Sequence, residues 1–499
     1  MKKLPNKSTP FIIALIALIV FAIGLNRPFA GHHDWNSAFY GTIARNHMRY
    51  GLLTTKLGLV TNAEGFKPHA RLDYFSHHPV LLPIIMAFSF FLFGITEAAG
   101  RIVPLLSVVA MVYFIYKLAA RLWHQPTAII ASLIAIATPM LRYYSKIPVN
   151  ETVVLGFVAA TVWFYYIWLT TNNSKAYLWS LVTLTLAQHT SWGGYYLSAL
   201  LPLHAWFFGR AKLSGKTTQA LSYGLIGLVN FLIFFFHNLA LSGPQGIQSL
   251  GQVLLFRMNL SPASQIYGFT LSKFIELQAR WLVIYFTRIT IIFSALYTLR
   301  VVYLWWRHRS VSFPDSFLLL WLAFGFTQPV FLPNHAFIHD YDLIYATPFL
   351  TLTAGIMIYR ITRRLFPRPP FSLLIPLVII VAITIERQSY LQALHKTIQG
   401  NPGYLIGQAL NQRTGLEDKI LILNTELMQF YEVFLRFYAD RSVSAANVLT
   451  PEIISEFDYI VIPSSHDYVS VEDKTFLYAN FPVETIPGGS LFHIRHQPS

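Results

Sequence analysis

Apolar residues along this chain gather in long unbroken runs, with neither the alternation of a half-buried strand nor the single stripe of a surface helix. The runs occupy 11–25 and about 79–96, 101–120, 126–140, 152–171, 176–190, 193–208, 220–241, 280–304, 315–333, 341–360 and 371–386. Their length, roughly 15 to 25 residues, is what a helix needs to cross a bilayer core about 30 Å thick. The pattern predicts a mostly α-helical, polytopic membrane protein. The first run follows Met1-Lys2-Lys3 and Lys7 as in a signal peptide, yet Asn26-Arg27-Pro28-Phe29-Ala30 leads straight into polar sequence without the expected cleavage pattern. It reads as an uncleaved first span with the N-terminus in the cytoplasm.

Basic clusters set the expected orientation. They sit at Lys117/Arg121, Lys175, Arg210/Lys212/Lys216, Arg307/Arg309 and Arg360/Arg363/Arg364/Arg368, and the positive-inside rule wants them on one side. If all twelve runs crossed, all five clusters would fall outside; removing one crossing from 79–121 brings all five inside. About eleven transmembrane helices are therefore expected, in a range of 10 to 13. The natural non-crossing helix is 79–96, lying at or dipping into the membrane; the short run 126–140 is the competing choice. The outer face then receives 26–78, 141–152, 189–195, the loop 242–280, 333–342 and everything after Glu386.

The end of the chain reads differently. Segments 419–424 and 457–463 look like buried parallel strands, with a helical stretch 426–438 between them. The expected domains are thus a transmembrane domain over 1–390, whose first external loop 26–78 carries interfacial helices, and a small soluble α/β extracytoplasmic domain over 400–499.

Composition sharpens this picture. With 54% hydrophobic and only 12% charged residues, against about 25% charged in a globular domain, an ordinary soluble enzyme is excluded. The formal charge of +15 suggests a nucleic-acid partner, but residues 1–416 hold 32 Lys/Arg against 10 Asp/Glu, whereas 417–499 hold 5 against 12. The basic part is the membrane part, so the charge reflects orientation and no nucleic acid is implied. The absence of cysteine excludes disulfides, thiolate metal sites and cysteine nucleophiles.

Four polar clusters fall on the outer face. His32-His33-Asp34-Trp35 opens an aromatic, amphipathic stretch that reads as an interfacial helix, with Asp34 at its start, where an ordinary N-cap is the simplest role. Tyr74-Phe75-Ser76-His77-His78-Pro79 returns the chain to the membrane. Arg142-Tyr143-Tyr144-Ser145-Lys146 with Asn150-Glu151 forms the third cluster, in which Arg supplies forked hydrogen bonds and Lys a point charge for a phosphate. His335 with His339-Asp340-Tyr341-Asp342 forms the fourth, too rich in ionisable groups to face lipid and better placed in a shared cavity. Imidazole beside carboxylate suits zinc and related ions, but the spacing matches no closed metal motif. No cofactor is assigned, and a divalent cation on Asp34, His78 and Glu151 stays an open alternative.

Taken in order, Asp34…Ala44-Arg45-Asn46…Gly51, Tyr74 to Pro79, Phe93-Gly94…Glu97-Ala98-Ala99-Gly100-Arg101, the segment 142–151 and His339-Asp340-Tyr341 resemble the dolichyl-phosphate-mannose protein mannosyltransferase family. The likeness is closest to its prokaryotic members, related to the lipid A aminoarabinose transferases, and covers most of 1–365. It implies a membrane C-type glycosyltransferase fold that moves a sugar from a polyprenyl-phosphate donor to an acceptor at the extracytoplasmic face of the inner (plasma) membrane. It also implies that Asp34 is the catalytic base. Many members carry two adjacent acids, where this chain has Trp35 second; the basic group before a proline pair survives as His77-His78-Pro79-Val80; Glu151, or Asn150, matches the second-loop acid.

In this reading Asp34 takes the proton of an acceptor hydroxyl that attacks the anomeric carbon, with inversion. Arg142, Lys146 and Arg45 meet the donor phosphate, and His33, Tyr74, His77, His78, Glu151, His339, Asp340 and Tyr341 line the substrate cleft. The acceptor is a glycolipid, a polymer or a protein, and membrane lipid is the remaining partner. Two other classes stay open: a secondary transporter or lipid flippase, and a lipid-linked polysaccharide polymerase or ligase. Few acids at the centres of the spans and no evident inverted repeat weigh against the transporter.

Overall fold

The computed structural model describes residues 8–61, 72–209, 217–368, 371–396, 400–464 and 469–495. Lys2, Lys3, Lys7, Arg210, Lys212 and Lys216, on which part of the expected orientation rests, lie outside the described residues. The apolar runs fold as helices, among them Thr9–Ala22, Leu81–Phe93, Glu97–Leu122, Gln125–Ala137, Asn150–Thr171, Ser174–Thr190 and Gly193–Phe208. Among the described residues six helices are long and apolar enough to cross a membrane: Glu97–Leu122, Asn150–Thr171, Thr217–Arg257, Arg288–His308, Asp340–Leu365 and Leu374–His395. The protein is a multi-pass membrane protein. Arg288–His308 leaves Ile292, Leu299 and Trp306 exposed, the surface of a helix whose solvent is lipid. Leu81–Phe93 and Gln125–Ala137 have 13 residues each and rise only about 20 Å, so both rivals for the non-crossing helix are short.

Two expectations change. The segment 242–280 is not an open loop: the helix Thr217–Arg257 runs through it, bent at Gly243, whose φ of 66° glycine adopts without a Cβ penalty, and at Pro244, which has no N–H to give. The short 3-10 helix Pro262–Tyr267 and the helix Leu271–Phe286 follow. The run 280–304 is broken at Thr287, whose φ is 66° and whose hydroxyl accepts from Thr290 N to cap Arg288–His308. Within the run 280–304 hydrophobicity hides the break, because a burial signal reports environment and not backbone direction.

The chain divides into two compact units, the first comprising 1–25, 76–82 and 101–391, the second 26–75, 83–100 and 392–499. In the first, Asn150–Thr171 packs on Ser174–Thr190, and Thr347–Leu365 packs on both Gln125–Ala137 and Arg288–His308. Thr347–Leu365 is buried along most of its length, so it stands inside the bundle.

The second unit contains a five-stranded sheet in the order Ser442–Ala446, Lys419–Leu423, Tyr459–Pro463, Gly489–His493, Val483–Ile486. The first three strands are parallel, with Ile420 opposite Tyr459, and the last two antiparallel. The two strands read from the sequence and the helix between them, Thr425–Ala439, are present. Ile420, Ile422 and Val461 pack on one side of the sheet, Leu421, Leu423 and Ile460 on the other, which is why these strands read as continuous apolar runs. The helix Asp34–Tyr50 packs against Thr425–Ala439, with Phe29, Ala38, Phe434 and Phe437 between them. The segment 26–50 thus shares a core with the end of the chain.

Candidate active site

In the second unit Asp34 begins the helix Asp34–Tyr50. The N-cap position belongs to His33, whose φ is 59°, so the simple capping role expected of Asp34 is not the one it has. Its carboxylate instead accepts from Gly31 N at 2.9 Å and from Ser37 Oγ at 2.7 Å. Both oxygens are thereby oriented, and the N-terminal end of a helix favours a negative charge beside it. On the same helix Trp35 stacks on Phe39, centroids 5.0 Å apart, and Phe39 meets the edge of Phe75. These rings, with Thr42, Glu432 and Arg436, line a cavity of about 320 Å³. Tyr74 is half-buried on a short antiparallel pairing with Val60.

Arg45, expected at the donor phosphate, is deeply engaged within this unit. It donates to the carbonyls of Phe437 and Arg436, both at 2.8 Å, and lies 3.1 Å from the Asp440 carboxylate. Burial brings its pKa down to about 10, against the pull of Asp440, so it stays a cation at neutral pH. His47, bonded through Nδ1 to Thr55 Oγ1 at 2.9 Å, is pushed down to about 4 by burial and is neutral.

In the first unit the segment 76–82, the ends of several helices and the 3-10 helix Asp340–Ala346 bring together the remaining predicted groups. His77 Nε2 lies 2.9 Å from Ser249 Oγ, and its carbonyl accepts from Trp192 Nε1. His78 Nε2 faces the Arg257 guanidinium at 3.1 Å. Burial, then the charge of Arg257, lowers His77 to about 4 and His78 well below its ordinary value. Both imidazoles are therefore neutral, and Arg257 is the fixed positive charge beside them. That guanidinium stands on the Nε2 side of His78.

Three carboxylates lie in the same unit. Asp342 accepts from Gln328 Nε2 at 2.7 Å and pairs with His335 Nδ1 at 2.6 Å. Glu151, buried in the first turn of Asn150–Thr171, lies within electrostatic reach of Asp342 and Arg257. Asp340 accepts from the hydroxyls of Tyr144, at 2.6 Å, and Tyr285. His339 stacks on Tyr341, centroids 4.9 Å apart.

The two predicted cations of the third cluster have protein partners. Arg142 donates to Thr384 O at 2.9 Å and Gln388 Oε1 at 2.6 Å, while Lys146 Nζ donates to Arg142 O and the Lys146 carbonyl accepts from Arg101. Sequence reasoning passed over Arg257 because it lay in a presumed loop. The available signal was its isolation, as the only Lys or Arg between Lys216 and Lys273.

Residues 77–239 match the profile of the family described as dolichyl-phosphate-mannose-protein mannosyltransferase. The fold is similar to the crystal structure of ArnT from Cupriavidus metallidurans bound to undecaprenyl phosphate, with a TM-score of 0.64 at 13% identity, over 99% of this chain and 100% of that one. It is also similar to the Archaeoglobus fulgidus oligosaccharyltransferase in complex with Zn and sulfate, with a TM-score of 0.56 at 15% identity, over 91% of this chain and 67% of that one. No curated protein matches. The resemblance read from the sequence and the membrane C-type glycosyltransferase fold are both borne out.

Proposed function

We propose that the protein transfers a sugar from a polyprenyl-phosphate donor to an acceptor hydroxyl, with inversion, and that Asp34 is the general base. The observation that carries the assignment is the Asp34 carboxylate, held at both oxygens by Gly31 N and Ser37 Oγ at a helix N-terminus. A carboxylate so oriented can take a proton without reorganising. The acceptor oxygen forms a bond to the anomeric carbon, its proton passes to Asp34, and the bond from that carbon to the phosphate oxygen breaks with its electron pair leaving on the phosphate.

For the leaving phosphate the better cation is Arg257 rather than the expected Arg142, Lys146 or Arg45. Arg257 is half-buried beside two neutral imidazoles, where a guanidinium binds a phosphate in forked geometry, whereas Arg142 and Arg45 are bonded to carbonyls. The cavity beside Trp35 would take the acceptor, its rings stacking on a sugar or other flat group and Glu432 and Arg436 bonding its polar edge. The undecaprenyl phosphate bound to the structurally similar ArnT supports a polyprenyl carrier here. We further propose the inner membrane, a cytoplasmic N-terminus and an extracytoplasmic 400–499.

The deciding experiment incubates membranes containing wild type or Asp34→Asn with radiolabelled polyprenyl-phosphate sugars and follows label into lipid, polymer and protein fractions. Wild type should label one fraction, and the variant should lose about 10²–10⁴-fold in rate with unchanged elution of the purified protein. Full transfer by the variant would remove Asp34 from the chemistry. Movement of the donor across the bilayer without transfer would favour a flippase.

A further inference from the structure

Away from the polar clusters, the first unit holds a cavity of about 580 Å³ that no part of the proposed reaction uses. Three helices form it: Gln125–Ala137, Thr347–Leu365 and Phe371–Glu386. Its walls are Ile129, Ile130, Leu133, Leu377 and Ile380, and its polar lining includes Gln125, Tyr359 and Arg363.

The cause of the opening lies in how the helices meet. At Gly355 a Cβ would stand 2.7 Å from Ala131 Cα, so Thr347–Leu365 and Gln125–Ala137 touch backbone to backbone there, as helices in membranes do at small residues. Just beyond, Ile130, Ile134, Ala354, Ile358 and Ile383 close the seam. The cavity opens between Gln125 on one helix and Arg363 on the other. Pro376, buried at the cavity, has no N–H to give to the carbonyl of Ser372, leaving an acceptor at the polar end.

That end is strongly basic. Arg360, Arg363, Arg364 and Arg368 follow one another, and no acid occurs between Asp342 and Glu386. Arg363 is exposed and donates to Pro367 O at 3.1 Å through one of its nitrogens, while Arg360 lies over the Tyr297 ring. An apolar slot between membrane helices, closed at one end and cationic at the other, has the chemistry of one acyl chain under one anionic headgroup.

We propose that this cavity is a binding site for an anionic glycerophospholipid, with an acyl chain between Leu133 and Leu377 and the headgroup phosphate on Arg363. The site is independent of the sugar-transfer reading, since none of its residues belongs to the polar clusters. Its occupant would brace the inner helix Thr347–Leu365 against Phe371–Glu386, so the lipid acts as a structural ligand.

The test uses the full-length protein in neutral detergent. Thermal unfolding and bound lipid by native mass spectrometry are measured with added phosphatidylglycerol, phosphatidylcholine, undecaprenyl phosphate or inorganic phosphate. Phosphatidylglycerol should bind and raise the unfolding temperature, phosphatidylcholine at least fivefold more weakly, and inorganic phosphate should do nothing. Arg363→Gln should weaken phosphatidylglycerol about fivefold, the loss of one cation at a membrane surface. Leu377→Trp, which fills the slot from a lipid-exposed position, should abolish the effect while leaving the lipid-free unfolding temperature unchanged. Equal response to phosphatidylcholine, preference for undecaprenyl phosphate, or an undiminished response in both variants would overturn the proposal.

Discussion

Arg45 and Asp440 stand almost four hundred residues apart in sequence and 3.1 Å apart in space, with Arg49 joining the same carboxylate at 2.6 Å. Asp440 follows the helix Thr425–Ala439 directly, and Arg45 closes that helix end by donating to the carbonyls of Arg436 and Phe437. Two guanidiniums on one helix thus share one carboxylate at the end of another, and both helices belong to the second unit.

Removing that carboxylate leaves two buried or half-buried cations facing each other. Asp440→Asn should therefore cost about 3 kcal/mol, at the lower edge of the range for breaking a buried pair and well above the 0–1 kcal/mol of a surface one. Thermal unfolding of the purified protein reads this directly; a change within experimental scatter would show that the pairing contributes no stability.

Acid should weaken the fold through neutral histidines. His47 titrates near 4 when folded against an ordinary 6.5, so between those values the unfolded chain binds the proton first and stability falls as pH falls. The slope for one such group is about 1.4 kcal/mol per pH unit, with no contribution above pH 7. His77 adds a window of the same sign. Unfolding temperatures between pH 7 and pH 4.5 should drop less steeply in His47→Gln.

Arg257→Gln should raise the KM for the polyprenyl-phosphate donor about tenfold, the value of one charge-assisted hydrogen bond, and lower kcat because the departing phosphate loses its counter-charge. Arg257→Lys should restore kcat in part. If Arg142→Gln reproduces these kinetics and Arg257→Gln does not, the phosphate sits at the cation expected from sequence.

Trp35→Ala should raise the KM for the acceptor about fivefold or more, through lost stacking area, and leave donor KM unchanged. Trp35→Phe should recover most of the loss. A defect confined to kcat would place Trp35 in positioning Asp34 instead.

The membrane class, the helix positions and the two central strands of the terminal sheet were legible in the sequence because each is a local property. A run such as 152–171 is apolar whatever it touches, and the strand Tyr459–Pro463 carries its burial in its composition. The order of the polar motifs was enough to place the chain near a glycosyltransferase family, whose profile matches residues 77–239.

What tertiary structure alone decided is how each charge is used. Arg142, Arg45 and Arg257 are the same side chain in one dimension, yet the first donates to Thr384 and Gln388, the second closes a distant helix, and the third faces His78. A guanidinium buried among carbonyls must satisfy its donors there, and which carbonyls are at hand depends on contacts made across the length of the chain. Hydrophobicity is written residue by residue; the partner of a buried charge is settled only when the helices have packed.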